Sequence, residues 1–158
     1  MRNQVKSLKH DNVYGFELIL DLHGCSTSTF TRRSLRAYFK KLCDAIDMQR
    51  CKLVFWDDVG VPEDEKQISA HTKGTSAVQF ILTSNITVHT LDLLEAVYVN
   101  IFSCKAFDRN TAEQITKEWF GAKECCSHFI ERKEDVSIRE RNTDQSPLQT
   151  GYDDWLFA

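Results

Sequence analysis

The chain has 158 residues and a formal net charge of −3, from 20 Lys and Arg against 23 Asp and Glu, a balance that argues against a basic phosphate-binding surface and a nucleic-acid partner. Apolar residues make up 42% and charged residues 27%, an ordinary globular composition for one domain able to bury a core without staples. No apolar run approaches the roughly 18 residues of a membrane span, and the N-terminus lacks an apolar signal core, so a soluble, cytoplasmic protein with no membrane partner is expected.

Residues 1–12 read as a polar lead-in. Gly15 to Leu22 alternates as a strand. Thr31 to Asp47 predicts a helix, with Leu35, Phe39, Leu42 and Ile46 at helical spacing and arginines and lysines opposite. Lys52 to Trp56 is a short buried strand. Asp57 to Gly74 is polar, holds Pro62 and reads as a loop free to move. Its acidic run (Asp57, Asp58, Glu63, Asp64, Glu65) is either a solvated face or a feature favouring a cationic substrate. Ser76 to Leu82 and Ile86 to Thr90 are apolar and β-branched, broken at Thr83-Ser84-Asn85, and Ala96 to Phe102 is another strand. Asn110 is placed to cap a helix through Phe120, with Glu113 as the capping-box partner and Gly121 as the stop. Glu124 to Arg132 is a last strand. Residues 133–158 form a polar tail, with Trp155-Leu156-Phe157 able to dock on a surface. The order β-α-β-β-β-β-α-β predicts an α+β domain over 13–132, a mostly antiparallel sheet with helices packed on one face.

The six cysteines are Cys25, Cys43, Cys51, Cys104, Cys125 and Cys126. In a cytoplasmic protein they read as thiols, most of them small buried apolar residues. Cys125-Cys126-Ser127-His128 puts three zinc-type ligands close together, but no second cluster has finger or ribbon spacing, and no metal is expected.

Ser76, Ser84, His89 and Cys104 lie in or beside the predicted central strands. Each has a plain structural reading: a turn serine, a hydrogen-bonded histidine, a small core thiol. Odd spacing in a strand puts Ser84 and His89 on opposite faces, so they meet only if the break at Thr83-Ser84-Asn85 re-aims the chain.

Together these four residues resemble the prokaryotic, short-chain S-adenosylmethionine decarboxylase family. The successive spacings of 8, 5 and 15 residues match, as do Gly-x-Ser before one strand, His89-Thr90 after the break and Phe102-x-Cys104 closing the next strand. The resemblance implies a covalent pyruvoyl cofactor derived from Ser84 by self-cleavage of the Thr83–Ser84 bond. It implies that His89 moves protons during processing, that Ser76 stabilises the intermediate by hydrogen bonding, and that Cys104 reprotonates the decarboxylated carbon. The implied reaction is pyruvoyl-dependent decarboxylation of S-adenosylmethionine through a Schiff base, supplying the aminopropyl donor for spermidine. The implied assembly is a homodimer of cleaved protomers that pair through their sheets to complete the active site.

The chain departs from the family at three points. Thr83 stands where glutamate is usual, Asn85 where histidine is usual, and Leu91-Asp92-Leu93 where Trp-Pro-Glu is usual. That last glutamate contributes to substrate binding in the family, so Asp92 and Glu95 become the candidates to replace it. Two other readings stay open: a pyruvoyl decarboxylase of another amino acid such as arginine or ornithine, and an uncleaved, non-enzymatic relative.

Overall fold

The structure is a computed structural model and describes residues 13–134. Its strands are β1 (Val13–His23), β2 (Arg50–Trp56), β3 (Gly74–Ile81), β4 (Ser84–Leu91), β5 (Ala96–Ser103) and β6 (Glu124–Lys133), and its helices are α1 (Arg32–Ala45) and α2 (Arg109–Phe120). The lead-in, Trp155-Leu156-Phe157 and the rest of the tail from residue 135 lie outside the described residues.

The two helices form for the reasons their sequences suggest, with one change. Thr31 caps α1 by accepting the Ser34 N–H at 3.2 Å, and Leu35, Tyr38, Phe39, Leu42 and Cys43 recur along its buried stripe. The cap of α2 is Asp108, not Asn110, which lies inside the helix. The Asp108 carboxylate accepts the N–H groups of Asn110 (2.9 Å) and Thr111 (3.3 Å) and the Thr111 hydroxyl (2.8 Å). The helix starts two residues earlier than expected, so the free N–H groups of its first turn are those of Asn110 and Thr111, which the carboxylate takes, and Glu113 pairs instead with Lys117 at 3.8 Å. Gly121 ends α2 in the left-handed conformation, φ 59°.

The six strands form one sheet in the order β2-β3-β4-β5-β1-β6. Strands β2 to β5 are a run of antiparallel neighbours, and β1 pairs antiparallel with β5. β6 runs opposite to β1: Lys123 N–H bonds to His23 O (3.0 Å) at one end, and Phe129 stacks on Phe16 at the other. The chain after β1 crosses through α1 to the far edge, and the chain after β5 crosses through α2 to the near edge.

Alternation decides the two faces. Leu18, Leu20, Leu22, Ala77, Ile81, Ile86, Val88, Val97, Val99 and Ile101 pack one face against the α1 and α2 side chains, each large one worth about 1.5–3 kcal/mol when fully buried. The expected α+β architecture, with helices on one face, is therefore the observed one. The opposite face carries no helix; it presents Ile19, Val54, Val78, Phe80 and Phe102, of which Val54 and Phe80 are exposed.

Only Cys25 and Cys43 are buried, against the expectation for most of the six thiols. Cys51 and Cys126 stand on the two edge strands, where one face has no cover, and Cys104 follows the end of β5. The 57–74 segment is fastened rather than open. Arg32 grips Asp57 through two hydrogen bonds of 2.6 Å, and Asp58 accepts the Gln67 N–H at 2.8 Å. The fork-to-carboxylate pair holds Asp57 below the usual carboxylate range.

Candidate functional site

Strands β3 and β4 are a hairpin, and the four residues singled out in the sequence sit at its two ends. The hairpin closes in two residues, Leu82 and Thr83, between the paired Ile81 and Ser84. The expected three-residue break is thus shorter, and Ser84 and Asn85 already belong to the β4 ladder.

At the turn end, Thr83 has φ 61°, in the left-handed region. Ser84 turns toward the helix side and is 9% exposed. Its Oγ accepts the Cys104 N–H at 3.1 Å and donates to Cys104 Sγ at 3.7 Å. The Thr83 hydroxyl lies 3.0 Å from the same sulfur and 2.7 Å from its Leu82 carbonyl acceptor. The hydrogen bonds with Thr83 first and Ser84 second hold the thiol below its ordinary range. Asp47, Met48, Gln49, Lys105 and Leu82 line a small cavity of about 340 Å³ here with Thr83 and Cys104.

The other end depends on register. Ser76 stands directly opposite His89 across β3 and β4, and Ser76 Oγ lies 2.8 Å from His89 Nδ1. The same row continues to Trp56 on β2 and Tyr98 on β5, all on the helix-free face. Gly74 lets β3 reach this row, because a Cβ there would lie 1.7 Å from the Thr90 carbonyl oxygen. Thr90, fully buried, accepts the Thr75 N–H at 3.0 Å and locks the strands together. The Ser76–His89 cleft of about 540 Å³ is lined by Asp58 and Glu65 of the acidic run and by Trp56 and His71, which no sequence signal marked as site residues. Trp56 is 83% exposed, and its place beside Ser76 follows only from strand pairing.

The structure brings Ser84 to Cys104 and Ser76 to His89 but keeps the two pairs apart. Ser84 and His89 lie five positions apart on β4, about 17 Å at the usual strand rise and on opposite faces, and no bulge re-aims the strand between them. Asp92 and Glu95 line neither pair. Asp92 opens a short 3₁₀ turn and faces a cavity of about 760 Å³ with Lys73 and Thr75, which adjoins the Ser76–His89 cleft through Asp57, Asp58 and Gly74; burial raises its carboxyl, opposed by Lys73. Glu95 is exposed with φ 48°, and its backbone carbonyl accepts the Cys25 N–H at 2.9 Å. Among the described residues no group of three or more His, Cys, Asp or Glu is placed to hold a metal ion; Cys126 Sγ meets only His128 Nε2, at 3.3 Å. No helix of the described residues is long and apolar enough to cross a membrane.

The fold is shared with a solved structure, the adenosylmethionine decarboxylase from Aquifex aeolicus VF5. The TM-score is 0.60 at 13% identity, covering 87% of this chain and 99% of that one. No curated protein matches the chain. The family model for S-adenosylmethionine decarboxylase matches residues 16–133, from β1 through β6 and across all four site residues. The chain belongs to the S-adenosylmethionine decarboxylase family and is an enzyme of that class.

Proposed function

We propose that the chain cleaves itself between Thr83 and Ser84 and then decarboxylates S-adenosylmethionine, supplying the aminopropyl donor for spermidine, as a homodimer of cleaved protomers in the cytoplasm. The observation that carries this reading is the Thr83–Ser84–Cys104 cluster at the hairpin turn. A serine hydroxyl there is held by a backbone N–H and a thiol, next to the one peptide bond it must break. Ser84 supplies every carbon of a pyruvoyl group itself, so the donor set needs no imported cofactor. Such a group supplies a ketone that takes the substrate amine and accepts the electron pair as CO₂ leaves.

The chain's own residues do the rest. Ser84 Oγ is the nucleophile for processing. Cys104, beside it, is the acid that returns a proton to the substrate carbon. His89, its Nδ1 held by Ser76, is the proton carrier for processing, and Ser76 orients it. About 17 Å within one chain is too far for His89 to serve its own Ser84. That separation favours a site completed across two copies, with the partner subunit's His89 brought to the Thr83–Ser84 bond at the end of the sheet. The helix-free face, with its exposed Val54 and Phe80, is the surface for that pairing. The domain that carries this chemistry is 13–132, with 1–12 and 133–158 as appendages.

Intact mass of freshly purified, reduced and denatured protein tests the reading. Two chains, 1–83 and 84–158, are expected, the second with a blocked, carbonyl-reactive N-terminus. Ser84→Ala should stay whole and lose all turnover. CO₂ release should follow S-adenosylmethionine; release from arginine or ornithine instead would move the substrate assignment while leaving the cleavage chemistry in place.

A further inference from the structure

Three non-glycine residues among those described have positive φ: Asp47, Thr83 and Glu95. Thr83 is the β-branched one, the type that tolerates the left-handed region least. It also contributes the carbonyl of the bond proposed to break. We infer that Thr83 is a positioning residue for self-cleavage: its left-handed backbone stores strain at the scissile bond, which the acyl shift releases. This inference rests on the cleavage proposed above.

The turn cannot relax by sliding. Leu82 N–H is tied to Gln49 O at 3.0 Å, on the chain that joins α1 to β2. Ile81 and Ser84 are paired on either side, and Ser84 Oγ is held by the Cys104 N–H at 3.1 Å. The Thr83 hydroxyl is engaged with Cys104 Sγ at 3.0 Å and with Leu82 O at 2.7 Å. Strain of this kind persists where the surroundings over-determine it. Asp47 shares the same corner, its carboxylate against the Lys105 ammonium, but Asp accepts the left-handed region readily.

The chemistry explains the release. Ser84 Oγ attacks the Thr83 carbonyl carbon, the carbon–nitrogen bond breaks, and the hydroxyl proton ends on the freed nitrogen. An ester replaces the amide with no atom gained or lost. The path from the Thr83 carbonyl carbon to the Ser84 Cα then runs through Oγ and Cβ instead of nitrogen, one bond longer. The two-residue turn lengthens, and Thr83 can leave φ 61°.

The experiment compares Thr83→Gly and Thr83→Asn with the parent in two backgrounds. With Ser84 intact, the time course of chain cleavage is followed by intact mass, and both variants should cleave more slowly. The glycine change should be slower by about five- to thirty-fold, the rate equivalent of one left-handed L-residue. With Ser84→Ala, where every chain stays whole, both variants should melt at or above the parent temperature, because the uncleaved turn is relieved. Slower cleavage joined to an unchanged or raised melting temperature is the signature expected; a merely structural role would lower both. Parent protein that splits while Thr83→Gly splits as fast or faster overturns this inference alone, as does a lowered melting temperature in both Ser84→Ala variants. Parent protein that never splits overturns the cleavage reading and this inference together.

Discussion

The two ends of the β3–β4 hairpin are built by different means. At the turn end, Thr83, Ser84 and Cys104 meet because a two-residue turn and the exit of β5 fall side by side, and the contacts are short-range around one peptide bond. At the cleft end, Ser76 and His89 meet through register alone, thirteen positions apart and facing each other across two strands. The turn end is directed to the helix side and the cleft end to the uncovered side. In the proposed reading the nucleophile and the proton carrier, built on opposite faces of one strand, serve each other across two copies of the chain.

The largest expected effect separates these ends genetically. His89→Ala should slow processing by about 10²–10⁴-fold, the usual worth of a positioned proton carrier. Mixed with Ser84→Ala chains before processing, it should regain cleavage of the His89→Ala chains, since each mixed dimer holds one intact Ser84 opposite one intact His89. Mixing that restores nothing would place both ends in a single chain's site.

Cys104→Ala sharpens the same division: chains should still split, but turnover should fall by about 10²-fold. The thiol carries a pH signature before cleavage. Hydroxyls from Thr83 and Ser84 favour its charged form, so its folded value lies below the ordinary thiol range. Alkylation of Cys104 in the uncleaved chain should therefore begin at lower pH than alkylation of free cysteine. Thr83→Val, which removes the first of those hydroxyls, should move the onset upward. An onset matching free cysteine in both chains would mean that the sulfur is not held as described.

The smallest effect concerns the cleft end. Gly74→Ala drives a Cβ into the Thr90 carbonyl and should cost about 1–3 kcal/mol, read as a melting temperature lower by several degrees. Because it displaces the Ser76 side of the cleft, processing should slow with it, while the Cys104 alkylation onset at the turn end stays in place. A shift of that onset would show the two ends to be mechanically coupled.

Strand and helix identities, their order and the one-sided core were legible along the chain, because they rest on local periodicity: apolar residues every second position in β1 and β5, β-branched and apolar runs in β3 and β4, and apolar residues every third or fourth position in α1. The family was legible for a related reason. Serine, histidine and cysteine at fixed spacing on adjacent strands carry their geometry in the numbering. The odd spacing of Ser84 and His89 already placed them on opposite faces, and β4 keeps them there. Other features depend on what lies across space, and only the tertiary structure decided them. The cap of α2 went to Asp108 because a carboxylate reached three donors at once. Cys51 and Cys126 were left outside the core by the sheet order, which puts β2 and β6 at its edges. Asp92 and Glu95, close to His89 in number, stand outside the lining of its cleft, Asp92 in the adjoining cavity and Glu95 beyond the 3₁₀ turn that follows β4. Trp56 came beside Ser76 through pairing with a strand twenty residues away, and Thr83 was forced into the left-handed region by a turn tied to Gln49. Periodicity is a property of neighbours along the chain; register, edge position and turn strain are properties of the partners each strand finds.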